Sequence, residues 1–140
     1  MDLHCEMILE QYRSKLDIFE KIKDIALGEL RKYVEEFGTI INSVEGRVKA
    51  EKSLAGKLEL KGYKYQTIYD ITDIVGTRLV TFYNDEVDKF AAKIEQNFDV
   101  DWENSIDKRK MHNIDQFGYM SLHYICRIPK NLYYDPKHPE

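Results

Sequence analysis

The chain has 140 residues, 43% of them apolar and 12% aromatic, with a third charged and a formal net charge of −4. That length and apolar content suit one core, and the acidic balance gives no general attraction to DNA or an anionic membrane. Asp2, His4 and Glu6 stand where a secretory leader would carry a basic start, and no run reaches the roughly 20 apolar residues of a spanning helix, so a cytoplasmic protein without a membrane partner is expected.

Residues 3–37 place Leu9, Tyr12, Leu16, Phe19, Ile22, Ala26, Leu30, Tyr33 and Phe37 at steps of three or four. This stripe predicts an amphipathic helix roughly 50 Å long if continuous. Gly28 is its expected weak point and Gly38 its stop. The stripe packs on the chain's own core or, alternatively, on a second copy, which would make a homo-oligomer through this helix. Residues 39–49 are rich in β-branched side chains and predict a strand or hairpin edge. Residues 50–61 predict a helix with Leu54 and Leu58 inward, closed by Gly62.

Residues 77–83 predict a strand, and Asn84 the cap of a helix running to about Asn97, with Val87, Phe90, Ala91 and Ile94 inward. Phe98, Val100 and Trp102 alternate with acids and predict a half-buried strand over 98–103. A polar loop over about 105–118 and a strand over 119–128 follow. Helices alternating with strands predict an α/β fold with a mixed sheet flanked by helices. A helical segment over 1–38 and a second domain over 39–140 are expected. Cys5 and Cys126 fit no metal spacing and read as reduced thiols, Cys126 as a small core residue.

Charge is laid out in islands. Residues 47–64 hold six basic residues against two acids, and residues 84–107 eight acids against two lysines, after which Lys108-Arg109-Lys110 follows at once. Basic islands in an acidic chain suit a small anionic ligand better than a long polyanion. Within the first island, Arg47 and Lys49 lie two apart on a strand, and Ser53 and Lys57 lie four apart on the next helix, so each pair shares a face. Two cations fed toward a helix N-terminus can cradle phosphate, although an exposed basic strand gives the same spacing. Asp73 precedes Gly76 at a strand entrance, where a carboxylate can hold Mg²⁺ or simply cap a turn; Asp70 reads as structural. Tyr119, Ser121 and His123 share one face of a strand and offer an aromatic plate with polar groups to a nucleobase and phosphates, or form a plain half-buried strand.

Taken in order, Arg47-x-Lys49-x-x-x-Ser53-x-x-x-Lys57, then Asp73-Ile74-Val75-Gly76-Thr77-Arg78, then Gly118-Tyr119-x-Ser121-x-His123 resembles the synthetase signature of the RelA/SpoT family. The resemblance implies a nucleotidyltransferase-like mixed sheet flanked by helices, and transfer of pyrophosphate from ATP to the 3′-hydroxyl of GDP or GTP, which makes (p)ppGpp. It implies that Arg47 and Arg78 sandwich adenine, that Lys49, Ser53 and Lys57 hold the ATP phosphates, and that Asp73 is the catalytic carboxylate binding Mg²⁺. Tyr119 would stack on guanine, with His123, Lys108 and Arg109 near the acceptor's phosphates.

Three departures bear on these expectations. Phe117 stands where the family has Asn, which leaves the acceptor open to an adenine nucleotide or a tRNA 3′ end. None of the four histidines lies in the His-Asp metal motif of the hydrolase half, so alarmone degradation is not expected. Nothing after His123 resembles the family's Glu-x-Gln strand. The chain is therefore expected to stop before the last catalytic strand, and this form to bind nucleotides without turning them over. An inactive nucleotide-binding regulatory module is the alternative from a different class.

Overall fold

A computed structural model describes residues 2–107 and 122–127, without the side chains of Ile106, Asp107 and His123. The fold is a mixture of helices and strands, in two units that divide after Val80.

The first unit begins with α1 (Leu3–Ser14), whose Asp2 carboxylate accepts the Cys5 backbone N–H at 2.8 Å and caps the first turn. α2 (Leu16–Phe37) follows after a break at Lys15. The break does not fall at Gly28, which lies inside α2. Ser14 supplies a physical reason, because its hydroxyl back-bonds to the Gln11 carbonyl at 2.9 Å, a contact that bends helices. α2 ends at Gly38, which takes the left-handed φ of 59° that a side chain would oppose. The long helical stripe thus exists as two pieces, with Leu9, Tyr12, Phe19, Leu30 and Tyr33 buried as expected. Leu16, just past the break, is exposed, while Leu27 takes a buried place that the stripe assigned to its neighbour Ala26.

β1 (Ile41–Val48) hydrogen-bonds with β2 (Val75–Thr81) as a two-stranded sheet. α2 runs against β1, and Gly46 is where they meet: a Cβ there would lie 2.8 Å from Leu27 Cδ1 and 3.1 Å from Lys23 Cγ. α3 (Glu51–Lys61) turns Leu54 and Leu58 fully inward onto Ile8 and Ile68, and passes through Gly62 into a 3₁₀ turn, Gly62–Lys64. A second 3₁₀ turn, Ile68–Asp70, is held by the Asp70 carboxylate, which accepts the Gln66 and Thr67 N–H groups at 2.8 and 3.0 Å. Asp70 is structural, as its sequence context suggests.

The second unit holds α4 (Asn84–Asn97), β3 (Asp99–Asp107) and β4 (Leu122–Arg127). Asn84 is the first helical residue and Tyr83 the cap, so the cap lies one residue before the expected one. Phe90 and Ala91 are buried as the helical period predicts. β3 and β4 pair antiparallel, with Val100 opposite Cys126 and a register shift between Asp101 and Ile106. In the shift, the Ser105 hydroxyl accepts the Ile125 N–H at 2.8 Å and donates to the Asp101 carbonyl at 2.7 Å, filling the ladder gap. That bulge lets the strand continue to Asp107, past the point where a polar loop was expected.

Two side chains of this hairpin correct the sequence reading. Trp102 is 63% exposed instead of inward, packed edge-to-face on Tyr124 with ring centroids 5.9 Å apart. Cys126 is a free, exposed thiol, whereas Cys5 is the buried one. Among the described residues, the strands form two separate two-stranded sheets, and no helix is long and apolar enough to cross a membrane.

Leu54 anchors the helix that carries Ser53 and Lys57. Leu54→Ala is expected to cost about 2–5 kcal/mol in urea unfolding, by lost transfer energy and a cavity. Leu60→Ala, at a residue 78% exposed on the same helix, is expected to stay within about 0.5 kcal/mol.

Candidate functional site

Arg47, Lys49, Lys57 and Asp73 come from three separate segments and meet in the first unit. Arg47 leaves the end of β1 and Lys49 the turn into α3, one strand period apart and on one side. Lys57 lies in the middle of α3, on a row fixed by the burial of Leu54 and Leu58. Asp73 lies two residues before β2, between Ile71 and Ile74, each only 5% exposed. Those two isoleucines are driven into the core and leave the aspartate between them facing outward.

The two oxygens of Asp73 are each bonded to a different lysine: Lys49 Nζ donates to Oδ2 at 2.9 Å and Lys57 Nζ to Oδ1 at 3.0 Å. Arg47 donates instead to backbone, to the Asp73 carbonyl at 2.9 Å and the Ile74 carbonyl at 3.4 Å. The Lys49 backbone N–H closes the same junction on the Ile74 carbonyl at 2.6 Å. Gly76 lies directly under Arg47: a Cβ there would touch the guanidinium carbon at 3.4 Å, and its φ is not positive. Its role here is close approach.

Two lysines thus share one carboxylate, with Arg47 bonded to the backbone beside it, which leaves a local surplus of positive charge suited to an anion. Burial pushes the Asp73 carboxyl upward, but the hydrogen bonds from Lys49 and Lys57 outweigh it and hold the group below the usual aspartate value. Lys57 also lies 6.0 Å from the centre of the Tyr65 ring.

The remaining motif residues are placed less closely. Ser53 is exposed in the first turn of α3, where backbone N–H groups point outward. Arg78 on β2 pairs with Glu45 on β1 at 3.1 Å, both side chains 58% exposed. His123 lies in the backbone of β4, opposite Ile106. Lys108, Arg109, Phe117, Gly118, Tyr119 and Ser121 lie outside the described residues.

Sequence reasoning missed a brace supplied by α1. The Tyr12 hydroxyl donates to the Lys49 carbonyl at 2.7 Å, Arg13 grips the Glu51 carboxylate at 2.7 and 3.3 Å, and Gln11 Oε1 accepts the Ile68 N–H at 3.0 Å. Tyr12 reads from periodicity as a core residue, and it is buried; the polar tip of a buried Tyr needs a partner, and that was the available signal. Gln11 and Arg13 carry no such signal.

The basic motif, the aspartate and the glycine-arginine pair therefore occur in order along the chain; Arg47, Lys49 and Lys57 meet at Asp73, Gly76 lies under Arg47, and Arg78 pairs apart with Glu45. A family model described as a region found in RelA / SpoT proteins matches residues 46–136. The chain belongs to the RelA/SpoT family. The matched region starts at Gly46, so the family's motif residues lie inside it and the bracing helix α1 before it. Comparison with curated proteins gave no match.

Among the described residues no three His, Cys, Asp or Glu side chains converge as a metal-binding group. Mg²⁺ takes one or two protein carboxylates when phosphate oxygens and water complete its octahedron. Asp73 is the motif carboxylate at this site, and both of its oxygens are engaged by lysines.

Because the folded Asp73 carboxyl is held low, its ion pairs contribute stability in full above the unfolded value near 3.8 and lose it as pH falls through the folded value. The stability difference between the protein and Asp73→Asn is therefore expected to be greater at pH 6 and to shrink below about pH 3.8. Urea titrations at pH 6 and pH 3 check this, and a pH-independent difference contradicts it.

Proposed function

We propose that this member of the RelA/SpoT family transfers pyrophosphate from ATP to the 3′-hydroxyl of GDP or GTP and so makes the (p)ppGpp alarmone. The observation that carries the reading is the convergence of Arg47, Lys49 and Lys57 on Asp73, the two lysines on its carboxylate and the arginine on its backbone. Such a cluster suits a polyphosphate, whose charge it neutralises. In this reading Lys49, Lys57 and Ser53 bind the ATP phosphates, with the exposed first turn of α3 adding backbone N–H donors. Arg47 and Arg78 flank adenine through their planar guanidinium groups. The acceptor is bound by Tyr119, His123, Lys108 and Arg109.

The chemistry is in-line attack of the acceptor's 3′-oxygen on the β-phosphorus of ATP, with AMP as the leaving group. Little covalent work falls to the protein, so rate comes from positioning and from neutralising charge on the moving phosphoryl groups. A bound Mg²⁺ supplies further neutralisation, with Asp73 as its protein ligand. A general base for the 3′-hydroxyl is typically worth about 10²–10⁴-fold, and in this reading that role belongs to the glutamate of the family's Glu-x-Gln strand, not to Asp73.

The test is a product assay on the protein with labelled ATP, offering GDP, GTP, ADP and tRNA in turn. A 3′-pyrophosphorylated guanine nucleotide is expected from a form that carries the family's Glu-x-Gln strand, and ATP binding without turnover from one that does not. Label on ADP or tRNA instead moves the protein to an acceptor variant of the same chemistry. ATP binding with no product from any acceptor, with that strand present, marks a nucleotide-binding regulatory module. Separately, Arg47→Ala and Arg78→Ala are each expected to weaken ATP binding by about 1–2 kcal/mol, the range of a desolvated cation–π contact. Unchanged affinity in calorimetry, with the fold intact, removes the residue from the adenine site.

A further inference from the structure

Lys49 and Lys57 are too enclosed to stand as bare neighbouring cations. Their side chains are only 14% and 25% exposed, and both ammonium groups contact the same carboxylate. Without an anion between them they would repel each other while losing much of their water. Asp73 supplies that anion, one oxygen to each lysine. Of the three side chains, the Asp73 side chain is the most open to solvent, at 38%. It is therefore the part of the cluster that a ligand arriving from solvent meets first.

The aspartate's backbone is fixed independently of its carboxylate. Arg47 bonds the Asp73 and Ile74 carbonyls, the Lys49 N–H bonds the Ile74 carbonyl, and Ile71 and Ile74 are buried on either side. Rotation about the side-chain bonds of Asp73 breaks the two lysine contacts and leaves these anchors in place. The lysines are held in turn by their own segments: the Lys49 carbonyl is bonded by Tyr12, and α3 is fastened by Leu54 and Leu58.

Resting on the phosphate-binding reading above, we propose that the Asp73 carboxylate is a built-in stand-in for phosphate, holding Lys49 and Lys57 in a preformed cradle until a polyphosphate chain displaces it. A di- or triphosphate presents oxygens on linked phosphorus atoms and carries more charge than one carboxylate, so it satisfies both ammonium groups at once. No proton moves in the exchange, since both lysines stay charged throughout. The displaced carboxylate swings toward solvent, beside the phosphates that replaced it. Affinity for bare polyphosphate is consequently set against the cost of detaching Asp73. The cradle stays closed to weaker anions.

Calorimetry with inorganic tripolyphosphate, in chelator-treated buffer free of divalent cations, tests the exchange. Asp73→Asn is expected to bind tripolyphosphate about five- to tenfold more tightly than the unaltered protein, because the competing charged hydrogen bonds are gone. Glu59→Gln removes one negative charge from the same helix without touching the lysine contacts, and is expected to change affinity by less than about twofold. Equal gains in the two variants mean simple charge reduction and overturn the exchange; so does unchanged or weaker binding by Asp73→Asn. Should that variant fail to fold, the unaltered protein still decides. Its Asp73 carboxyl ¹³C resonance is expected to shift as tripolyphosphate is added, and binding that leaves it unmoved overturns the proposal. If neither tripolyphosphate nor ATP binds the unaltered protein or Asp73→Asn, the phosphate-binding reading itself fails. Binding without exchange sinks the present inference alone.

Discussion

The paired contacts of Asp73 with Lys49 and Lys57 tie together the polar tips of three stretches of chain that already share one hydrophobic core. The turn after β1, the middle of α3 and the entrance to β2 each have their own buried anchor, but none of those anchors dictates where the polar tips meet. The double ion pair does. Its net energy is limited, since two largely enclosed lysines and the carboxylate give up water to form it. Its value lies in geometry, because one carboxylate fixes the separation and direction of two flexible lysines. Long side chains otherwise sample many rotamers, and ordering them is a cost that any ligand would have to meet.

That arrangement is braced from outside the family-matched region. α1 reaches the site through Tyr12 on the Lys49 carbonyl, Arg13 on Glu51 and Gln11 on the Ile68 N–H. Two of these contacts are to backbone at the joints that precede α3 and lead toward Asp73. The same helix buries Cys5, Ile8 and Leu9 in the shared core, so the packing that stabilises the first unit also sets the site's frame. A structural helix and a positioning helix are here one element. The break at Lys15 separates this role from that of α2, which packs along β1 over Gly46.

The second unit is built on different terms. Its hairpin has a bulge filled by Ser105, an exposed edge-to-face pair in Trp102 and Tyr124, and an exposed thiol in Cys126. Tyr124 reaches Glu95 of α4 at 3.0 Å, which adds a polar tie between hairpin and helix. Alternation along 98–103 does not translate into burial of Trp102, whose ring packs edge-to-face on Tyr124 and stays 63% exposed.

The sequence by itself determined the class of fold, the order of its elements and the family. Helical periodicity places Leu54 and Leu58 inward, and with them the row that carries Lys57. The flanking isoleucines mark Asp73 as the outward residue of its segment. The ordered motifs, although individually weak, point to RelA/SpoT before any contact is known. Tertiary structure alone decided who bonds to whom: that Asp73 takes both lysines, that Arg47 bonds backbone instead of carboxylate, and that Arg78 pairs with Glu45. It also decided the helix break at Lys15, the Tyr12 brace and the exposure of Trp102. The reason is physical. Periodicity and motif order act over a few residues and repeat in a pattern that can be read along the chain. Pairing between Lys57 and Asp73, or between Tyr12 and Lys49, depends on how separate elements pack, and on sheet layers that a local pattern does not count.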